Sequence, residues 1–195
     1  MTDVYTTIDS VVAEGFYSEK RSKFYAFAHH VETAGEVKAI VDGYRKRFYD
    51  ARHVCYAYML GPERKDFRAN DDGEPSSTAG KPILGQINSA GLTDVLVVVV
   101  RYYGGVNLGT SGLIVAYREA AASALAHATI EERQVEAIVD YEFTYVMMNQ
   151  VMRVVKDMQP RIVEQTFDNT CRLRLAIRQS EEQRLRQRLE KLNFE

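Results

Sequence analysis

The segment DDGEPSSTAGKP, Asp71 to Pro82, places three carboxylates within four positions. Asp71, Asp72 and Glu74 are hard oxygen donors of the kind a divalent cation takes, and neighbouring carboxylates can also divide acid and base roles. The spacing is not that of an EF-hand loop, which needs a longer ladder of ligands closed by glutamate. A turn accounts for the same residues: the acidic side chains accept from backbone N–H groups and Gly73 supplies a permissive torsion. Ser76, Ser77 and Thr78 are then candidate helix N-caps. Thr78 and Lys81 stand in a T-x-x-K spacing, which by itself is too frequent to mark a nucleophile and its lysine.

The segment RYYGGVNLGTSGL, Arg101 to Leu113, is read as the junction of a strand and a helix. Free backbone N–H groups and the helix dipole suit an anion there. Neither a Walker GK[ST] nor GxGxxG is present. Gly104, Gly105, Gly109 and Gly112 fit an anion cradle, and they equally fit a turn that passes close beneath a helix. Asn107 is placed to brace that turn, and Arg101 to serve either a phosphate or the DDGE carboxylates. His53, which follows Arg52 at the mouth of an apolar strand, is the one histidine carried as a site candidate. His29, His30 and His127 lack metal-ligand spacing. Cys55 and Cys171 lie far apart in apolar runs and read as buried thiols. No disulfide framework, zinc site, nucleophile–histidine pair or cofactor is expected.

These residues need elements to hold them. Lys23–Val31 reads as a strand, and Thr33 with Glu36 forms a capping box before a helix that turns Val37, Ile40, Val41, Tyr44 and Phe48 to one side. His53–Leu60 is a second strand, followed by a long polar loop from Gly61. A short helix runs through Ile83 and Ile87, Thr93–Arg101 is a strand buried on both faces, and a helix spans about 109–128. EERQ, Glu131–Gln134, is the domain boundary, dividing 1–133 from 134–195. Beyond it, alternation in Val139–Tyr145 and Cys171–Ile177, a strand over Arg161–Phe167, two amphipathic helices and a short final strand at Phe194 give β-α-β-β-α-β, a ferredoxin-like arrangement. In it the first and third strands are neighbours, so Asp140 and Glu142 face Arg172 and Arg174. Ser180 and Gln183 box the last helix.

The chain has 195 residues, 46% of them hydrophobic, and a formal net charge of −2 from 25 basic and 27 acidic residues. Disordered and fibrous classes are excluded by this composition. All 12 glycines lie at or before Gly112, which separates a motif-bearing region from a regularly packed one. The overall field does not favour nucleic acid, but two basic clusters stand out: Lys20, Arg21 and Lys23, then Arg45, Lys46, Arg47 and Arg52. Each is a solvated face or a local nucleic-acid patch. The polar opening MTDVYTTIDS lacks a signal-peptide core and the strongly apolar run Val95–Val100 is too short for a membrane span. A cytoplasmic protein with no membrane partner is expected.

The motifs RSKF (Arg21–Phe24), ARHVCYAY (Ala51–Tyr58), DDGEPSSTAGKP and VVRYYGGVNLGTSGL (Val99–Leu113) resemble those of the YigZ/IMPACT family, over essentially the whole chain. The family's usual third motif contains SGTAG, where this chain has Ser77, and Tyr103 stands in a segment usually of the RYFGG type. The resemblance implies an α+β protein. Its N-terminal domain would be similar to domain IV of elongation factor G, a βαβ-containing two-layer superfold shared with ribosomal proteins and small-molecule kinases. Its C-terminal domain would be similar to domain V of that factor. Eukaryotic relatives regulate translation through a stress kinase and carry an additional N-terminal domain, which this chain is too short to hold, so that pathway role is not transferred. The family implies no established reaction. Three functions follow as expectations: a non-catalytic, translation-associated protein with RNA or the ribosome as partner; a phosphate- or nucleotide-binding enzyme using the acidic loop and the glycine-rich helix start; or an adaptor with a protein partner.

Overall fold

The computed structural model describes residues 3–194, which divide into two compact units. One is Tyr5–Arg133; the other runs from Gln134 onward and includes Asp3 and Val4. The strands and helices are β1 (Val4–Ile8), β2 (Ala13–Glu19), β3 (Ser22–His30), α1 (Ala34–Arg47), β4 (His53–Leu60), β5 (Asp66–Asn70), α2 (Gly80–Ser89), β6 (Val95–Tyr102), α3 (Gly109–His127), β7 (Ile130–Gln134), β8 (Glu136–Phe143), α4 (Met148–Met158), β9 (Arg161–Phe167), β10 (Cys171–Arg178) and α5 (Glu182–Lys191).

In the first unit a five-stranded sheet has the order β2-β3-β6-β4-β5. Strand β6 is central because a Val/Leu run can be buried on both faces at once. Its Val95, Val97 and Val99 enter one core with Ile83, Ile87, Leu113 and Tyr117; its Leu96, Val98 and Val100 enter another with Val37, Val41 and Tyr44. Both β3 and β4 pair antiparallel with β6, so they run parallel to each other and α1 crosses between them. The capping box expected at the start of α1 is present: Glu36 N donates to Thr33 Oγ1 at 3.2 Å, and Thr33 N to Glu36 Oε2 at 3.0 Å.

Two expectations change. Instead of two layers there are three, with α1 on one face of the sheet and α2 and α3 on the other. The polar loop after Gly61 contains edge strand β5, paired with β4 from Tyr56↔Asn70 to Leu60↔Asp66; its exposed, charged sequence carries no hydrophobic signature. EERQ, where the two units divide, lies in β7, which pairs with β1.

The second unit has sheet order β8-β10-β9, with α4 and α5 closing a core of Val139, Phe143, Val151, Val154, Leu173, Leu175, Leu185 and Leu189. The ferredoxin-like order holds for its three strands. Arg172 and Arg174 lie opposite Glu142 and Asp140, with ion-pair distances of 2.8 and 3.5 Å. The final strand expected at Phe194 is a 3₁₀ turn over Leu192–Phe194, and Tyr145 likewise begins a 3₁₀ turn rather than extending β8. No side chain caps α5; Ser180 N donates to Asp3 Oδ1 at 3.1 Å. No described helix is long and apolar enough to cross a membrane.

Candidate functional site

Three aligned strand ends build the site. Lys23 lies opposite Tyr102 and Arg101 opposite His53, so the start of β3, the end of β6 and the start of β4 share one edge of the sheet. The β2–β3 turn, the chain leaving α1 and the N-terminus of α3 all meet that edge, because each adjoins one of those strand ends. The DDGEP turn reaches the same place from the end of β5.

Within that turn the three carboxylates diverge. Asp71 accepts through Oδ1 from Ala79 N (3.1 Å) and Gly80 N (2.8 Å), and through Oδ2 from Ser77 N (2.9 Å). It is therefore Asp71 that caps α2, in place of the expected Ser76, Ser77 or Thr78. Thr78 Oγ1 donates instead to the Pro75 carbonyl at 2.6 Å. Asp72 Oδ2 accepts from Val54 N at 2.7 Å, and Oδ1 lies 3.4 Å from Arg45. Glu74 turns inward, its side chain 3% exposed. Its Oε1 accepts from Arg101 at 2.6 Å and from Tyr117 Oη at 2.7 Å. Of the two roles open to Arg101, the structure shows the ion pair with the DDGE turn. With their carboxylates engaged separately, the three acids do not form a cation cage, and no group of three or more metal-ligating side chains occurs among the described residues.

His53 joins the cluster from β4. Its Nδ1 donates to the Asp72 carbonyl at 2.7 Å, which puts the neutral ring's proton on Nδ1 and leaves Nε2 3.7 Å from Glu74 Oε2. The Cys55 thiol lies 3.1 Å from the Asp71 carbonyl and 3.4 Å from Tyr117 Oη. Burial pushes both the Cys55 thiol and the Tyr117 phenol far above their ordinary values, so each remains protonated at neutral pH and serves as a donor.

In the glycine-rich turn, Gly104 is held by close packing: a Cβ there would stand 2.1 Å from the Arg21 carbonyl carbon. Gly105 and Gly109 have positive φ, and Gly112 sits against Leu108. Asn107 braces the turn by accepting from Tyr103 Oη at 3.1 Å. Between this turn and the DDGEP turn opens a cavity of about 400 Å³, lined by Arg52, His53, Glu74, Arg101, Tyr103 and the first residues of α3 among others. Lys81 is exposed on α2 and does not line it. Sequence reasoning missed Tyr117, Cys55 and Ser22 as members of the site; Ser22 Oγ accepts from Gly104 N at 3.2 Å and lies 3.5 Å from an Arg101 guanidinium nitrogen. Tyr117 carried a signal, as a lone hydroxyl on the small-residue face of α3 with Ala116, Ala120, Ala121 and Ala124.

The basic clusters meet at the same edge. Lys20 and Arg21 form the two-residue β2–β3 turn with φ of 46° and 66°, the left-handed geometry of a type I′ hairpin. Arg47 lies over Phe48 at 4.8 Å, and Arg52 over Tyr103 at 5.6 Å. Arg45 pairs with Asp42 and Asp72. Among the described residues, Lys20, Arg21, Lys23, Lys46, Arg47 and Arg52 make no ion pair with a carboxylate.

The Impact N-terminal domain family matches residues 20–125, the segment that carries this whole site. The chain is 32% identical over 160 residues to the IMPACT family member YigZ of Escherichia coli K12, covering 81% of this chain and 78% of that protein. It is 34% identical over 140 residues to the IMPACT family member YvyE of Bacillus subtilis, covering 72% of this chain and 64% of that one. A crystal structure described as that of a hypothetical protein superposes with a TM-score of 0.78 and 28% identity, over 95% of this chain and 90% of its own. The matched domain spans more than half of the sequence, and the likeness to the E. coli protein extends beyond it into the second unit: the chain belongs to the IMPACT family.

Proposed function

We propose that this chain is a non-catalytic, translation-associated protein that binds RNA or the ribosome through the basic edge of its first unit. The observation that carries the reading is the convergence of two basic clusters, distant in sequence, on one sheet edge, with all their cations but Arg45 unpaired with a carboxylate among the described residues. Aromatic rings lie among them, Tyr49 at 85% exposure and Tyr103 at 42%, a combination suited to phosphates and unstacked bases. The likeness of the two domains to domains IV and V of elongation factor G belongs to this proposal and gives it a translational setting. The hairpin tip adds a physical argument. A side chain held in the left-handed region costs roughly 1–2 kcal/mol per residue, and Asn-Gly would form that turn without the strain. Retaining Lys20-Arg21 there trades stability for two exposed cations, as strained functional positions do.

The test is binding of purified protein to ribosomes and to structured RNA across a salt series. Wild type is expected to associate at low salt and to weaken as salt rises, through counterion release. Replacing Lys20→Asn together with Arg21→Gly is expected to raise the Tm while reducing affinity and flattening the salt slope by about two, one per lost phosphate contact. Absence of association at low salt overturns the proposal, as does a variant that binds like wild type.

A further inference from the structure

Helix α1 covers its face of the five-stranded sheet unevenly. The core beneath it draws on β3, β6 and β4 but on no residue of β2. Beside the helix, four aromatic rings stand in a row across the strands. Phe16 on β2 lies opposite Tyr25 on β3, with ring centroids 5.2 Å apart. Tyr25 meets Tyr102 of β6 at 6.1 Å, and Tyr102 meets Phe48, the C-cap of α1, at 6.5 Å. Tyr25 and Tyr102 are half-buried, whereas Phe16 at the end of the row is 49% exposed. Strand β2 is anchored through its other face, where Gly15 fits against Ala124 of α3 and Tyr17 packs on the core, so its burial does not depend on Phe16. Two cations border the row. Lys23 lies opposite Tyr102 on the same face, and Arg47 lies over Phe48 at 4.8 Å; neither pairs with a carboxylate among the described residues. Of the acids on this face, Asp50 accepts from Tyr102 Oη at 2.8 Å, and Glu14 lies at the far end, opposite Phe27.

From this row we infer that the sheet face is a stacking platform for unpaired bases, so that the RNA held by the neighbouring basic edge is single-stranded where it crosses β2 and β3. A base is a flat ring that stacks on Phe16 and Tyr25, while the phosphates on either side of it are drawn to Lys23 and Arg47. A duplex cannot use these rings, because its base faces are already stacked on one another and it presents only phosphates and groove edges. An apolar protein surface would cover the rings but bury both cations without a counter-charge, which is costly. The platform presupposes the RNA-binding reading above and adds to it the strandedness of the ligand.

Fluorescence anisotropy with a labelled oligouridylate and with an RNA duplex of equal length tests the platform, using wild type, Phe16→Ala and Phe16→Tyr across a salt series. Wild type is expected to bind the single strand more tightly than the duplex. Phe16→Ala is expected to weaken single-strand binding about fivefold or more, the loss of one stacked base. Its salt slope should stay as in wild type, because no phosphate contact is lost. Its duplex binding at low salt should also be unchanged, a pattern that damage to the fold would not produce. Phe16→Tyr, which keeps a ring, is expected to bind like wild type. The chain contains no tryptophan, so Phe16→Trp places a single indole in the row; the oligouridylate is expected to quench its emission and the duplex to leave it unchanged. Undiminished single-strand binding by Phe16→Ala overturns the inference and leaves the rings to a protein partner. Indole emission that does not respond to a bound single strand overturns it as well. Duplex or ribosome association without a preference for the single strand overturns the platform alone, whereas absence of association with any of these RNAs overturns the functional reading on which it rests.

Discussion

Asp71 and Ser77 show how one turn is specified atom by atom. Asp71 collects three backbone N–H groups, and one of them belongs to Ser77, whose φ is +63°. The left-handed torsion is what aims that N–H back at the carboxylate, so the serine carries strain that a glycine would not. A glycine at this place, which the family resemblance implies, would have a conformational reason and need no direct contact with a partner. Ser77→Gly is expected to be neutral or to stabilise by up to about 1 kcal/mol, because relief of the left-handed strain outweighs glycine's extra unfolded-state entropy. Urea unfolding checks this, with Ser76→Gly as the comparison expected to lose stability. A loss at Ser77 equal to that at Ser76 would remove the strain argument. The acidic triad was legible as a turn and Arg101 as a partner for its carboxylates, but the other partners were not, since they come from α1, β4, the start of α2 and α3.

Elements that bury a continuous face were legible: β3, β4, β6 and α3 fall within a residue or two of where apolar pattern places them, and β9 was legible from its residue types although its residues are exposed. Those that escaped are β1, β2, β5 and β7, short or edge strands: β5 and β7 bury no residue fully, β2 only Ala13, and β1 only Thr7 and Ile8. The pairing of β1 with β7 joins segments far apart in sequence, which local periodicity cannot register. By contrast, β2 and β5 pair with their sequence neighbours β3 and β4 at the two edges of the sheet, where too little is buried to set a strong apolar pattern. The final strand expected at Phe194 failed for the opposite reason, since an aromatic residue near a chain end suggests burial that tertiary structure does not supply; Phe194 is 90% exposed. Packing between elements also settles what the glycine-rich turn leaves open at Gly104. The end of β6 runs against the β2–β3 turn so closely that a methyl group would meet the Arg21 backbone, at 2.1 Å from its carbonyl carbon. Backbone is hard to displace, so Gly104→Ala is expected to cost about 1–3 kcal/mol, the range for overpacking, and to loosen the hairpin tip. Denaturant melts and amide exchange at Ser22 and Lys23 measure both; an unchanged melting midpoint would show that the turn yields.

At the scale of the whole molecule, the chain does not divide into its units at one cut. Asp3 precedes the first unit in sequence but belongs to the second. Its carbonyl accepts from Val135 N at 2.7 Å, its Oδ1 from Ser180 N at 3.1 Å, and its Oδ2 lies 2.9 Å from Arg178. Those contacts fasten the start of β8 and the end of β10, and Asp3 accepts the Ser180 N–H expected to go to Gln183, while no side chain caps α5. The Ser180 hydrogen bond, helped by the Arg178 charge, holds the Asp3 carboxyl below its ordinary value. A carboxylate with a lowered folded-state pKa contributes stability above the ordinary value of 3.8, and that contribution disappears as pH falls through the folded-state value. Asp3→Ala is accordingly expected to speed amide exchange at Ser180 at neutral pH, leaving the five-stranded sheet unaffected. Its stability should converge on that of wild type in strong acid, where the wild-type carboxylate is itself protonated. A deficit that persists unchanged at the lowest pH would assign the role of Asp3 to packing, and equal exchange at neutral pH would remove that role altogether.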